Sequence, residues 1–250
     1  MKNVRAKKHL GQHFLNDEQI AFNITNLLNN GTENVVEIGP GMGVLTQFLI
    51  KKDFATEVVE IDTESVFYLR LNYPELNIHK GDFLQLNLQE KYPYNFSLIG
   101  NFPYNISSQI LFKVFENRDQ IPEIVGMFQK EVAERVVCKK GKKRGILSVF
   151  LQAFYDIEYC FTINENVFTP PPKVKSGVIK LVRNSRKEFR CDENKFKQIV
   201  KAGFNQKRKT LRNALKPFTL GNANELQDLL NLRAEQLSVD DFIKLTNHVR

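Results

Sequence analysis

Cysteine is scarce and scattered in this chain. Cys138, Cys160 and Cys191 stand far apart and form no C-x-x-C pair, so they read as free thiols in a reducing cytoplasm. Histidine is scarce too. His9, His13, His79 and His248 show no metal-ligand spacing, which argues against a zinc site. No apolar run approaches the length of a membrane span, and the basic N-terminus lacks the apolar stretch of a secretory signal. Internal repeats and low-complexity segments are absent. What remains is 250 residues, 42% of them hydrophobic, enough for one full α/β core and a small second domain.

Acidic residues are missing from three places. Residues 1–16 hold four Lys or Arg, residues 138–145 (CKKGKKRG) hold five, and residues 201–216 (KAGFNQKRKTLRNALK) hold six, with no acid in any of them. These 40 residues carry +15 against +8 for the whole chain, so the other 210 carry −7. Solvated lysines that only confer solubility spread more evenly. Three acid-free segments on an acidic body point to phosphate contacts.

Strand and helix patterns alternate along most of the chain. Residues 17–29 place Ile20, Ile24, Leu27 and Leu28 at helical spacing, behind acids in the first turn. Strands are expected at Val35–Ile38, Ala55–Ile61, Asn77–Lys80, Phe96–Ile99 and Ile124–Phe128. Helices are expected at Val44–Lys51, Ser65–Leu71, Ser107–Phe115, Lys130–Val137 and Ile146–Tyr155. Two closely spaced strands, Asp156–Ile163 and Lys175–Val182, predict an antiparallel edge hairpin. The fold class is therefore α/β, with a mostly parallel, doubly wound sheet. After Arg183 the pattern turns helical. This divides the chain into a domain at 1–184 and a small helical domain at 185–250, with a helix over 204–216 that carries Arg208, Arg212 and Lys216 at i, i+4.

Four candidate ligand residues fall at the ends of four successive strands. Gly39-Pro40-Gly41-Met42-Gly43 lies between the first strand and its helix, where glycines permit a tight turn and close ligand approach. Glu60 ends the second strand, 21 residues after Gly39, where a carboxylate can accept from both hydroxyls of a ribose. Asp82 follows the third strand. Asn101-Phe102-Pro103-Tyr104 follows the fourth. On its own this tetrapeptide reads equally well as a turn or as a clamp for a base bearing an amine. In the clamp, the Asn oxygen accepts, Pro103 leaves a carbonyl acceptor, and Tyr104 offers a ring face. Ligands of open α/β sheets bind at the strands' carboxyl ends, which favours the clamp. The G-x-G-x-G spacing departs from the G-x-G-x-x-G of NAD sites. It suits S-adenosylmethionine, which carries no phosphate.

The chain resembles the ribosomal RNA adenine dimethyltransferases, specifically the bacterial small-subunit type. The motifs that carry the resemblance are Lys8-His9-Leu10-Gly11-Gln12-His13-Phe14-Leu15, Val36-Glu37-Ile38-Gly39-Pro40-Gly41, and Gly100-Asn101-Phe102-Pro103-Tyr104-Asn105-Ile106-Ser107. Two more follow: Phe168-Thr169-Pro170-Pro171-Pro172-Lys173-Val174 and Phe204 through Arg212. The resemblance implies a Rossmann-like methyltransferase fold with a helical C-terminal domain. It implies S-adenosylmethionine as cofactor and dimethylation of the N6 amines of two adjacent adenosines near the 3′ end of small-subunit rRNA. By motif, the cofactor contacts are His13, Leu15, Gly39, Gly41, Glu60, Asp82 and Asn101. Asn101, Pro103, Tyr104 and Phe168 are the catalytic set, with Tyr104 and Phe168 sandwiching a flipped base. The basic segments supply Lys139, Lys140, Lys142, Lys143, Arg144, Lys207, Arg208 and Arg212 for RNA. The substrate is expected within a pre-30S-type particle in the cytoplasm, met by a monomer, with no metal and no membrane. Two positions depart from the family pattern. His13 replaces an Asn, and Phe102 stands where Leu or Ile is usual.

Other readings are a large-subunit rRNA adenine methyltransferase of the macrolide-resistance type, and an RNA-binding ribosome-assembly factor with little catalysis. The Phe168 and Phe204 motifs favour the small-subunit enzyme over the first. The intact Gly39, Glu60, Asp82 and Asn101 set argues against the second. A DNA adenine methyltransferase typically carries a second Pro before the Tyr, which this chain lacks.

Overall fold

The computed structural model describes residues 4–249 except 30, 207 and 222. Among the described residues nine strands occur in chain order: β1 (Phe14–Leu15), β2 (Asn34–Ile38), β3 (Ala55–Glu60), β4 (Asn77–Lys80), β5 (Ser97–Asn101), β6 (Glu123–Gln129), β7 (Tyr155–Ile163), β8 (Phe168–Thr169) and β9 (Ser176–Arg183). Seven form one sheet in the order β4-β3-β2-β5-β6-β9-β7. Pairings among β4, β3, β2, β5 and β6 are parallel, and β9 runs antiparallel to β6. The sheet is therefore mostly parallel and Rossmann-like, as the alternating pattern requires. Its central strands are rich in apolar residues because a parallel sheet is covered on both faces. Val35, Val36, Val58, Val59, Leu98, Ile99, Ile124 and Val125 are all buried.

The order of strands places the ligand edge. The chain moves outward from β2 through β3 to β4, then returns to the other side of β2 as β5. That reversal is a topological switch point, and open α/β sheets bind ligands in the crevice outside it. Gly39 follows β2 directly, and Asn101 ends β5.

A glycine pair sits beside the tetrapeptide. Gly100 on β5 is opposite Gly126 on β6. A Cβ at Gly100 would lie 2.8 Å from the Phe102 ring, and one at Gly126 would also strike that ring. The two glycines form the notch that holds Phe102, which is fully buried and 5.1 Å from the Phe128 ring centre.

The sequence misses a two-stranded sheet, in which β1 pairs antiparallel with β8. Two-residue strands have no detectable period. Their pairing joins Leu15 to Phe168 across more than 150 residues of chain.

The chain forms two compact units. One holds residues 1–133 and 157–183, and the other holds 134–156 and 184–250. Residues 134–156, which the sequence division at 184 assigns to the first domain, group with the helical segment instead. In that second unit the expected helix over 204–216 is two pieces. The helix Glu193–Asn205 ends at Gln206, and a short helix Leu211–Ala214 starts at Thr210, whose backbone is extended. The Leu211 N–H finds its partner at the Leu232 carbonyl, 2.8 Å away, so this second start is stabilised by a tertiary bond.

Candidate active site

A cavity of about 150 Å³ opens at the switch point. Four segments line it: the N-terminal strap (His9 to Phe14), the glycine loop (Gly39, Gly41), the ends of β3 and β4 (Glu60, Ile61, Gly81 to Leu84) and the tetrapeptide region (Asn101 to Ile106). The four strand-end residues inferred from sequence are thus brought to one cavity.

The glycine loop needs its glycines. Gly39, Gly41 and Gly43 have φ of 63°, 57° and 82°, a left-handed region that costs residues with a Cβ. Gly41 is also tightly approached, because a Cβ there would lie 2.7 Å from Phe14. Its N–H donates to Glu60 Oε2 at 3.1 Å, and the Asp62 N–H donates to Oε1 at 2.8 Å. These bonds aim the Glu60 carboxylate and leave each oxygen a second lone pair. Burial pushes the Glu60 carboxyl above its ordinary range, against the pull of those backbone bonds. Asp82 Oδ1 accepts from the Leu84 N–H at 2.9 Å, which leaves its other oxygen as an acceptor.

The tetrapeptide is similarly set. Asn101 Nδ2 donates to the His13 carbonyl at 2.8 Å, so its Oδ1 is the acceptor left over. The Pro103 carbonyl accepts from the Ile106 N–H at 3.1 Å and keeps one lone pair. The Tyr104 hydroxyl and Ser176 Oγ are 2.5 Å apart, which pins the ring. Burial raises the Tyr104 phenol above its usual range.

His13 is at the cavity as the motif suggests, but Phe168 is not. His13 lines the cavity, and its Nδ1 lies 2.7 Å from the Pro170 carbonyl, so Nδ1 carries the hydrogen. Its ring pairs with Tyr104 at 5.6 Å. Phe168 does not line the cavity. It is 3% exposed and packs in the apolar core with Leu15, Ile163 and Val178, because its pairing with Leu15 turns it inward. The expected sandwich of Tyr104 and Phe168 is corrected accordingly: the ring beside Tyr104 is His13. Leu15 is also buried, and it lines a neighbouring pocket of about 30 Å³ with Glu37, Gly39 and Asn101. Ile61, Phe83 and Ile106 line the main cavity without having been singled out in the sequence. Single apolar residues carry no signal there beyond adjacency to Glu60, Asp82 and Asn105.

The basic residues divide. Lys139, Lys140, Lys142 and Lys143 are exposed, and Lys143 pairs with Glu134 at 2.5 Å. Arg144 is 3% exposed. Its guanidinium donates to the Cys138 and Lys139 carbonyls and so closes the basic loop from inside. It is removed from the expected RNA surface. Arg208 is exposed between the two helical pieces, and Arg212 is exposed on the second, bonded to Gln227 and Asn231. The two are not a stripe on one helix. Lys207 lies outside the described residues. Among the described residues no cluster of His, Cys, Asp or Glu could hold a metal, and no helix is long and apolar enough to cross a membrane.

Fold and cavity together define an S-adenosylmethionine-dependent methyltransferase. Left-handed glycines, the aimed Glu60 and Asp82 carboxylates and the Asn101-Phe102-Pro103-Tyr104 segment line one cavity at the switch point. The chain belongs to the ribosomal RNA adenine dimethylase family, whose model matches residues 3–250. It is 59% identical to the ribosomal RNA small subunit methyltransferase A of Cytophaga hutchinsonii, over 99% of this chain and 98% of that protein. The protein of the same name from Flavobacterium johnsoniae is 56% identical over 100% and 97%. Among solved structures, a dimethyladenosine transferase from Plasmodium falciparum superposes with a TM-score of 0.78 at 26% identity, covering 93% of this chain and 96% of that one. The 23S rRNA methyltransferase ErmE shares the fold, with a TM-score of 0.72 at 22% identity over 94% and 99%.

Proposed function

We propose that this protein uses S-adenosylmethionine to dimethylate the N6 amines of two adjacent adenosines in a loop near the 3′ end of small-subunit rRNA. The observation that carries the reading is the Asn101 amide. Its Nδ2 is committed to the His13 carbonyl, so Oδ1 is held as an acceptor beside Pro103 and Tyr104 in the same cavity as Gly41, Glu60 and Asp82.

S-adenosylmethionine, when bound, supplies a methyl group already activated as a sulfonium. Glu60 would hold its ribose hydroxyls, Asp82 its adenine amine, and Gly39 and Gly41 give its chain room to pass. The residues present fit that group, since two aimed carboxylates and left-handed glycines line one crevice. Asn101 Oδ1 and the Pro103 carbonyl accept the two N–H groups of the target adenine. An adenine amine is a poor nucleophile because its lone pair is delocalised into the ring. Two acceptors on its hydrogens favour the pyramidal form, with the lone pair directed along the line of transfer. Tyr104, pinned by Ser176, lies against the ring of the extruded base. The amine proton leaves to solvent after transfer, and the tetrapeptide contains no dedicated base.

The second unit bears Lys139, Lys140, Lys142, Arg208 and Arg212 on its surface, which suits phosphate contacts that position RNA without reading sequence. The working context is a pre-30S-type particle in the cytoplasm, met by a monomer. The test is to incubate the protein with labelled S-adenosylmethionine and unmethylated small subunits, then map the modified bases. Label on two adjacent adenosines near the 3′ end is expected. Label on large-subunit RNA, or on none, overturns the reading.

A further inference from the structure

Lys113 is used by none of the steps above, yet its amine donates to two backbone carbonyls beside the cavity. It stands on the helix Ser107–Glu116, which begins directly after the tetrapeptide region and buries Ile110, Leu111, Val114 and Phe115. Its Nζ reaches the segment that follows β4. There it donates to the Leu84 carbonyl at 2.9 Å and the Leu86 carbonyl at 2.5 Å, and it lies 5.4 Å from the centre of the Phe83 ring. That segment, Phe83–Gln85, is a single tight turn capped by the Asp82 side chain. A turn this short leaves its last carbonyls without partners of its own, and Lys113 supplies them. Asp82, Phe83 and Leu84 line the cavity, whereas Lys113 does not.

We propose that Lys113 is a positioning residue for cofactor binding: it clamps the turn that carries Asp82 onto the helix that follows the amine-accepting tetrapeptide. The two walls of the crevice are thereby tied by one side chain. Its partial burial and the neighbouring Asp82 charge act in opposite senses on the ammonium. The clamp needs the donors, so an apolar residue of the same length cannot replace it, and arginine can.

This rests on the assignment of Asp82 as a cofactor contact, and the experiment separates the two. Binding of S-adenosylhomocysteine to the full chain is measured by calorimetry for wild type, K113M, K113R, D82N and the double variant. K113M is expected to weaken binding about five- to tenfold, and K113R to return it to within about twofold of wild type. At saturating cofactor, kcat and the KM for RNA stay within about twofold in K113M, since the clamp acts on binding. In D82N, which is itself weakened, adding K113M costs less than about twofold more, because both act through one turn. Wild-type affinity in K113M overturns the proposal while D82N is weakened. Wild-type affinity in D82N overturns the Asp82 assignment instead. A K113M variant that loses kcat and RNA affinity as much as cofactor affinity is a general packing defect, and it also overturns the proposal.

Discussion

Glu37 stands within β2, 1% exposed, two residues before Gly39 of the glycine loop. Thr46 Oγ1 donates to its Oε2 at 2.6 Å. Burial pushes its carboxyl from 4.5 up to about 8, the nearby Glu60 charge adds to the rise, and the Thr46 bond opposes it. The folded protein therefore keeps a proton that the unfolded chain releases. Stability from this group is complete below about pH 4.5 and is lost as pH rises toward 8. Integrating between those two values gives a loss of about 1 kcal/mol at pH 5.5 and about 4 kcal/mol at pH 7.5, a difference of about 2–3 kcal/mol. Gln at this position keeps an acceptor for Thr46 and cannot ionise. The gap in Tm between E37Q and wild type should therefore widen by about 5–10 °C from pH 5.5 to pH 7.5, in favour of E37Q. Thermal melts followed by circular dichroism across that range read it directly. A gap that stays constant with pH would refute the reasoning, because it would mean that Glu37 does not titrate between these limits.

Three further outcomes test the site. Asn101→Ala should abolish methyl transfer while cofactor binding stays weakened but measurable by calorimetry, and near-normal turnover would contradict the clamp. Gly41→Ala should lower Tm, since its φ of 57° costs about 1–2 kcal/mol, and should lower cofactor affinity because its Cβ would meet Phe14 and displace the cavity lining. Unchanged affinity there would show that the loop does not approach the ligand. Reversing Lys139, Lys140 and Lys142 to Glu should flatten the salt dependence of RNA binding with Tm unchanged. Arg144→Ala should instead lower Tm, because the buried loop closure is lost and the Lys139 carbonyl loses its donor at about 1–3 kcal/mol, while the Cys138 carbonyl keeps Gln152. A flat salt dependence in wild type, or an unaltered Tm in R144A, would sink the respective claim.

Much of the site was legible because its signals are local. Apolar runs gave the central strands, and glycines and acids just past them gave Gly39, Glu60, Asp82 and Asn101. In a parallel sheet, strand ends share one edge whatever the loops do, so sequence position alone brings those four together. The tetrapeptide's amide and proline, and the ordered motifs around it, were also contained in short stretches of chain.

Tertiary structure decided everything that depends on which way a side chain turns. Phe168 became core because β8 pairs with β1, a contact with no local period. Arg144, one cation among five in its segment, went inside to close the loop while its neighbours stayed out. The 204–216 pattern broke where the Leu211 N–H donates to the distant Leu232 carbonyl, and residues 134–156 joined the helical unit through packing rather than pattern. The orientation of Asn101 followed the same rule. Its amide could present either end to a ligand, and only the His13 carbonyl, 88 residues away in the chain, fixes which one.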